Sequence, residues 1–169
     1  GVFGDVNAYE GNSHLTEFFT AKNGAAKLLS YTEILFLRAE AAARGYSAGG
    51  TAAGLYAEAV KQSMTENKVS SADADTYLAA HPYDAGNWKH SIGYEAWVSM
   101  FNYGFAAWNF SRRLDYPAFE VPADSNLEVV PTRMPYSDQE YVLNKTNVTA
   151  AAAKIGGDKA TTKLFWDIH

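Results

Sequence analysis

The chain of 169 residues has a net charge of −5 and contains no cysteine. Without a basic run, it lacks the positive field that nucleic-acid binding needs, and we expect no nucleic-acid partner. The lack of cysteine excludes disulfides, thiolate metal sites and a cysteine nucleophile within these residues. With 47% hydrophobic and 20% charged residues, the composition is that of a globular domain.

Two helices are predicted near the start of the chain. Residues 1–30 are polar and predict a loop, with a short helical turn at 14–19. Residues 31–45 are rich in alanine, with Thr32 as a candidate N-cap, and predict a helix. A second helix is predicted over 51–66. The short connection makes the two an antiparallel hairpin, the unit of tetratricopeptide-like repeats.

The later segments predict a mostly α fold with long irregular loops. Residues 71–80 predict a short helix and residues 147–155 a last one. Between Pro117 and the last helix, further prolines forbid helix over most of the span. Val129 and Val130 predict extended chain, with one short strand.

The long helix predicted over 87–113 is unusually aromatic. Four aromatic side chains share one face at helical spacing, and we expect them to form the structural core: Trp97, Phe101, Phe105 and Trp108. Replacing Trp108 with alanine is then expected to cost about 3–5 kcal/mol. Gly104 lies on the same predicted face, where it allows close approach of another helix or marks a bend.

The charged residues do not form a recognisable catalytic or metal-binding pattern. Glu33 and Glu40 are two turns apart, about 10.5 Å along one helix, an arrangement that seldom provides the clamp of two glycosidase carboxyls. We expect Glu40 to pair with Arg44 instead. None of the histidines has the spacing of a helical metal site; they are His14, His81, His90 and His169.

Three arginines leave two interpretations open. Arg112, Arg113 and Arg133 could form an anion site. More often, such arginines bond carbonyls and pair with core carboxylates. The sequence also has no glycine-rich phosphate loop and no nucleophile motif. We therefore predict no catalytic residue, no metal site and no cofactor, and no ligand-binding residue is identified.

Three ordered blocks of sequence resemble a known family. They are YTEILFLRAEAAARGY at 31–46, GFAAWNFSRRLDYP at 104–117 and VPTRMPYSDQEYVLN at 130–144. In this order they resemble the C-terminal portion of the SusD/RagB family, the surface glycan-binding lipoproteins of Gram-negative nutrient uptake. Each block alone is a weak signal, and their order makes the resemblance specific.

The resemblance implies a fold, a function and several partners. Residues 1–169 would be the C-terminal portion of a single SusD-like domain, with the remaining N-terminal portion of the same protein packed against it. The family is non-enzymatic. It captures oligosaccharide at the cell surface and passes it to a TonB-dependent, SusC-like outer-membrane transporter. The lipid anchor would be a cysteine outside this chain, so the expected location is the outer membrane.

Two other classes of function stay open from the residues alone. A helical-barrel glycoside hydrolase would need paired carboxylates from different loops, and the available ones are Asp84, Asp115, Asp138 and Glu140. A protein-interaction module of the tetratricopeptide type would present a polar concave groove without sugar affinity.

The first hairpin is apolar on more than one side. Four apolar residues follow one another from Ile34 to Leu37, so no single helix face holds them all. We therefore expect the chain alone to expose an apolar patch larger than about 300–600 Å² on this hairpin. The missing N-terminal portion of the protein would cover it.

Overall fold

The computed structural model describes residues 11–12, 14–15, 17–24, 27–122 and 129–167, which form α-helices joined by irregular loops. The helices are α1 (Glu17–Thr20), α2 (Tyr31–Ala43), α3 (Ala52–Glu66), α4 (Ser71–Ala80), α5 (Trp88–Ser99), α6 (Gly104–Leu114), α7 (Asp138–Leu143) and α8 (Lys145–Lys154). The predicted helical fold class is confirmed. Val129 and Val130 do not form a strand, so that prediction is wrong. No helix in the described ranges is long and apolar enough to cross a membrane.

The first hairpin forms where it was predicted, with a different cap. Ser30 is the N-cap of α2, and its hydroxyl accepts a hydrogen bond from the Glu33 backbone N–H at 3.0 Å. Thr32, the predicted cap, is buried in the first turn. Its hydroxyl donates to Oε1 of Glu66 at 2.7 Å. This bond joins the start of α2 to the end of α3, which confirms the antiparallel arrangement.

The hydrophobic core lies between the hairpin and the pair α5 and α6. Leu35 and Phe36 of α2 are both 0% exposed, so the expectation that the hairpin carries the exposed apolar patch is wrong for these two residues. The aromatic ring of Phe36 meets that of Phe110 edge to face, with centroids 6.4 Å apart. The large core side chains are Leu35, Phe36, Leu55, Tyr56, Val60, Ile92, Met100, Phe110 and Leu114.

The predicted aromatic helix is in fact two helices. Helix α5 ends at Ser99 and α6 begins at Gly104. In the turn between them, Asn102 adopts φ of 67°, a left-handed conformation that asparagine tolerates better than most residues. The helical period therefore does not continue from Trp97 to Trp108, and the prediction of a single helix over 87–113 is wrong.

The glycine that allows close packing is Gly93 and not Gly104. A Cβ atom on Gly104 would meet no atom of the described residues within 4 Å, so no helix among them packs closely there. A Cβ atom on Gly93 would lie 3.0 Å from Cβ of Tyr116 and 3.1 Å from Cβ of Leu114. Gly93 thus lets α5 pack closely against the end of α6 and the chain that follows.

The four aromatic residues expected in the core lie at its edge or outside it. Trp97, Phe101 and Phe105 are 36%, 54% and 78% exposed, and Trp108 is half-buried. The side of α5 that faces the core instead carries Ile92, Glu95 and Ala96. The structural-core prediction is therefore wrong for this chain. We call Trp97, Phe101, Phe105 and Trp108 the aromatic face.

Glu40 of α2 and Arg113 of α6 form an ion pair that joins the two helices. Glu40, 6% exposed, accepts hydrogen bonds from Nε of Arg44 at 3.0 Å and from Nη2 of Arg113 on α6 at 2.7 Å. We expect Glu40→Ala to lower the free energy of unfolding by about 2 kcal/mol, because it leaves a part-buried guanidinium unpaired. Urea denaturation measures the change. Arg44→Ala, which removes the local partner, should cost less than about 1 kcal/mol. If the two variants lose the same free energy of unfolding, the pair between Glu40 and Arg113 does not contribute to stability.

Candidate functional site

A buried carboxylate lies at the bottom of a pocket bounded by α3, α4 and α5. Glu95 of α5 is 5% exposed. Its Oε1 and Oε2 lie 3.0 and 3.1 Å from the hydroxyl of Tyr77 on α4, which donates to them. The pocket has a volume of about 370 Å³ and is lined by Tyr56, Ala80, His81, Pro82, His90, Ser91, Tyr94 and Glu95. We call it the Glu95 pocket.

The Glu95 pocket has a buried polar floor and an exposed rim. Besides Glu95, the floor contains Tyr56 and Ser91, both buried. The Tyr56 hydroxyl donates to the backbone carbonyl of His81 at 2.8 Å, which fixes the end of α4. The rim residues are all exposed; they are His81, Pro82, His90 and Tyr94.

Three of the rim side chains, His81, His90 and Tyr94, belong to near-parallel ring pairs. The rings of His90 and Tyr94 are 5.9 Å apart at an interplanar angle of 18°. The rings of Tyr77 and His81 are 4.1 Å apart at 23°. A flat, partly exposed aromatic surface therefore stands beside a buried hydrogen-bond acceptor, a combination typical of ligand-binding pockets.

Burial determines the protonation behaviour of Glu95. Burial raises the pKa of Glu95 above its usual value, while the hydrogen bond from Tyr77 and the charges of His81 and His90 lower this pKa in part. Burial, together with the neighbouring Glu95 carboxylate, raises the pKa of Tyr77 to about 12. Tyr77 therefore stays a hydrogen-bond donor at neutral pH, and Glu95 stays an acceptor once ionised.

The raised pKa predicts a pH-dependent effect on stability. Between the usual glutamate pKa, about 4.3, and the raised value, folded Glu95 holds a proton that the unfolded chain has lost. Stability therefore falls as pH rises through this window. We expect Glu95→Gln to be more stable than the unmodified protein at pH 7, and this advantage to disappear below about pH 4. Urea denaturation at several pH values measures it.

The matched control for this pH dependence is Glu120→Gln, which changes an exposed carboxylate. It should change the free energy of unfolding at pH 7 by less than about 0.5 kcal/mol. If Glu95→Gln is less stable at neutral pH, the charged form of Glu95 is favoured by folding and the raised pKa is wrong.

Arg112, Arg113 and Arg133 form ion pairs with carboxylates of the same chain. This agrees with the structural interpretation of these arginines and not with an anion site. Arg113 pairs with Glu40, and Arg112 pairs with Asp167. The Nη1 atom of Arg133 lies 2.5 Å from Oδ1 of Asp158. Asp158 also accepts a hydrogen bond from the hydroxyl of Tyr141 at 2.7 Å. Burial alone would raise the pKa of Asp158. The hydrogen bonds from Arg133 and Tyr141 have the larger combined effect, so the pKa of Asp158 lies below its usual value.

The four carboxylates considered for hydrolysis are distributed over three elements. Asp84 caps the 3-10 turn Ala85–Asn87, and Asp115 is the C-cap of α6. Asp138 and Glu140 are in α7. The chain brings His81 and His90 to one pocket, while His14 precedes α1 and His169 lies outside the described residues. In the described part of the chain, no group of side chains could hold a metal ion.

Sequence reasoning did not identify Glu95. The sequence signal for Glu95 was its position on α5. It lies one helical turn after Ile92 and directly before Ala96. Ile92 and Ala96 are both 0% exposed, so a carboxylate on the same side of the helix is buried with them. Such a position is a candidate for function because ionised groups are rarely buried without a purpose or a partner.

The aromatic face borders two further cavities, both mainly apolar. One, of about 470 Å³, is lined by Trp97, Val98, Met100, Phe101, Asn102, Gly104 and Ala107. The other, of about 540 Å³, is lined by Gly104, Phe105, Trp108 and Met134. A cluster of exposed aromatic side chains of this kind indicates an interaction surface.

Comparisons with known proteins agree on one family. A SusD-like family model, described as starch-binding and associating with the outer membrane, matches residues 2–137. A solved chitin-binding protein is 33% identical and superposes with a TM-score of 0.73 over 83% of this chain. A chitin-binding SusD homologue from Flavobacterium johnsoniae is 28% identical, with a TM-score of 0.72 over 84% of this chain.

A third solved structure, a SusD-like protein from Bacteroidetes, is 28% identical, with a TM-score of 0.74 over 84% of this chain. No protein with a curated description matches the chain. The chain spans about a third of the length of these solved structures, namely 33%, 30% and 36%.

Proposed function

Because this chain belongs to the SusD-like family of starch-binding proteins that associate with the outer membrane, we propose that the protein binds oligosaccharide at the bacterial cell surface. The match over residues 2–137 is the observation that carries this proposal. Two of the similar structures are described as chitin-binding, so the ligand class is an oligosaccharide or polysaccharide built of pyranose rings.

The protein binds its glycan without cleaving it. Glycoside hydrolysis generally needs two carboxyl groups on either side of the scissile bond. Glu95 is the carboxylate of the described pocket, and the other carboxylates considered lie on the 3-10 turn, at the end of α6 and in α7. This arrangement favours binding over the alternative of a helical-barrel glycoside hydrolase.

After capture, the glycan passes to a TonB-dependent, SusC-like transporter in the outer membrane. The protein is anchored there by a lipid on a cysteine outside this chain. The family's description as associating with the outer membrane supports both proposals. They give the protein one protein partner, the transporter, in addition to the glycan.

Residues 1–169 form the C-terminal portion of a single SusD-like domain. The remaining N-terminal portion of the same protein covers the aromatic face. The observations that support this are the exposure of Phe105, at 78%, and the length of the similar structures, of which this chain spans about a third. A large exposed aromatic surface marks an interaction site, and the rest of the same protein is the partner that these lengths suggest.

Isothermal titration of the full-length protein with maltohexaose and chitohexaose tests the proposed function. We expect saturable binding of at least one of the two, with no release of reducing ends during prolonged incubation. Release of reducing ends that a carboxylate substitution abolishes would move the protein to the hydrolase class. Absence of binding to either sugar, or to the parent polysaccharides, would favour the protein-interaction module.

A further inference from the structure

We propose that the Glu95 pocket is a saccharide subsite that binds one or two pyranose rings. The inference rests on the proposed function and names the part of this chain that contacts the glycan. The pocket of about 370 Å³ lies at the small end of the range of ligand pockets, about 300–1,000 Å³. It suits a segment of a sugar chain rather than a large ligand.

The floor of the pocket offers hydrogen-bond acceptors to sugar hydroxyl or amide groups. A carboxylate has about four acceptor positions, and Tyr77 supplies a single proton to Glu95. The remaining acceptor positions of this buried group need donors, because unpaired buried charge is costly. Adjacent hydroxyl groups on a pyranose ring can donate to both oxygens of one carboxylate.

Ser91 adds a donor to the same floor. Its Oγ accepts a hydrogen bond from the backbone N–H of Asp84 at 3.0 Å, so that bond uses a lone pair and not the hydroxyl proton. The proton can be donated to a ring or hydroxyl oxygen. The floor thus provides both an acceptor and a donor, as the polar edge of a sugar requires.

The rim offers the apolar surface that the faces of a sugar ring require. Tyr94 is 41% exposed and lines the pocket beside His90. The C–H groups of a pyranose ring can pack on such a ring while its hydroxyl groups reach inward to Glu95.

Titration of the full-length protein and two pocket variants with maltohexaose and chitohexaose tests the subsite. We expect Glu95→Gln to weaken binding about tenfold, because a charged acceptor becomes neutral, and Tyr94→Ala to weaken it by a similar factor. Maltohexaose offers only hydroxyl donors and chitohexaose also offers amide N–H groups, so the pair shows which donor the site prefers. Tyr46→Ala is the control, since Tyr46 is 70% exposed and lines none of the described pockets.

Hydrogen exchange shows where the sugar contacts the protein, and melting curves show whether the variants are folded. Bound sugar should slow amide exchange in α4 and α5 of the unmodified protein, and the variants should melt as sharply as that protein. If the unmodified protein binds sugar but both variants bind equally well, or exchange slows only outside 77–95, the subsite is overturned while the proposed function stands. If the unmodified protein binds no sugar, the proposed function fails, and the subsite with it.

Discussion

Phe36→Ala is expected to lower the free energy of unfolding by about 3–5 kcal/mol, the range for removing a fully buried aromatic ring. Phe36 is 0% exposed and Phe110 is 1% exposed. Their rings meet edge to face at 6.4 Å and join α2 to α6. The truncation therefore removes buried apolar area, leaves a cavity and removes a favourable ring contact.

Chemical denaturation of the protein measures this loss, and two further variants define its origin. Phe36→Leu keeps most of the apolar volume and should cost less than about 1.5 kcal/mol. The double variant with Phe110→Ala should cost less than the sum of the single losses, because both single changes remove the same contact. A loss below about 1 kcal/mol for Phe36→Ala would show that α2 and α6 do not share a core.

The helices α2, α3 and α4 could be predicted from the sequence because their signals are local. Hydroxyl caps precede each of them, namely Ser30, Thr51 and Ser70, and alanine favours the helix that follows. The predicted and observed limits differ by no more than two residues at any end. The block at 31–46, one of the three that carry the family resemblance, contains α2. The other two blocks lie in the later part of the chain, so the family was predicted from short motifs in their order along the chain.

The structure of the aromatic region could not be predicted because its aromatic residues keep a helical spacing across the break between α5 and α6. Aromatic residues at spacings of four, four and three continue across a turn whose only local signals are Asn102 and Gly104. The buried side of α5 carries smaller residues, Ile92 and Ala96, which give a weaker pattern than Trp97 and Phe101. Hydrophobicity alone therefore selected the wrong face of the helix.

The candidate site depends on contacts that no local pattern contains. Tyr77 and Glu95 are 18 residues apart in sequence, and Glu40 and Arg113 are 73 apart. Each pair forms only when two helices pack, so the sequence showed the charges and not their partners. For Glu40, the local partner Arg44 could be predicted from its i,i+4 spacing, and the second partner could not.

Phe105→Ala is expected to lower the free energy of unfolding of the full-length protein by about 3 kcal/mol, although Phe105 is 78% exposed in this chain. An exposed phenylalanine contributes little, and its removal usually changes stability by less than about 0.5 kcal/mol. The larger loss is expected because the remaining N-terminal portion is proposed to cover the aromatic face. It would fill the cavity of about 540 Å³ beside Phe105, Trp108 and Met134.

Chemical denaturation of the full-length protein measures this effect, with Tyr46→Ala as a control in the loop between α2 and α3, where the change should stay within about 0.5 kcal/mol. A second measurement reports coverage directly. A cysteine placed by Phe105→Cys should react with a maleimide far more slowly than one placed by Tyr46→Cys, because polypeptide that packs on the ring also shields the thiol. Equal labelling rates, together with a negligible loss for Phe105→Ala, would show that the aromatic face is open in the whole protein. In that case, a partner other than the N-terminal portion would have to account for these exposed rings.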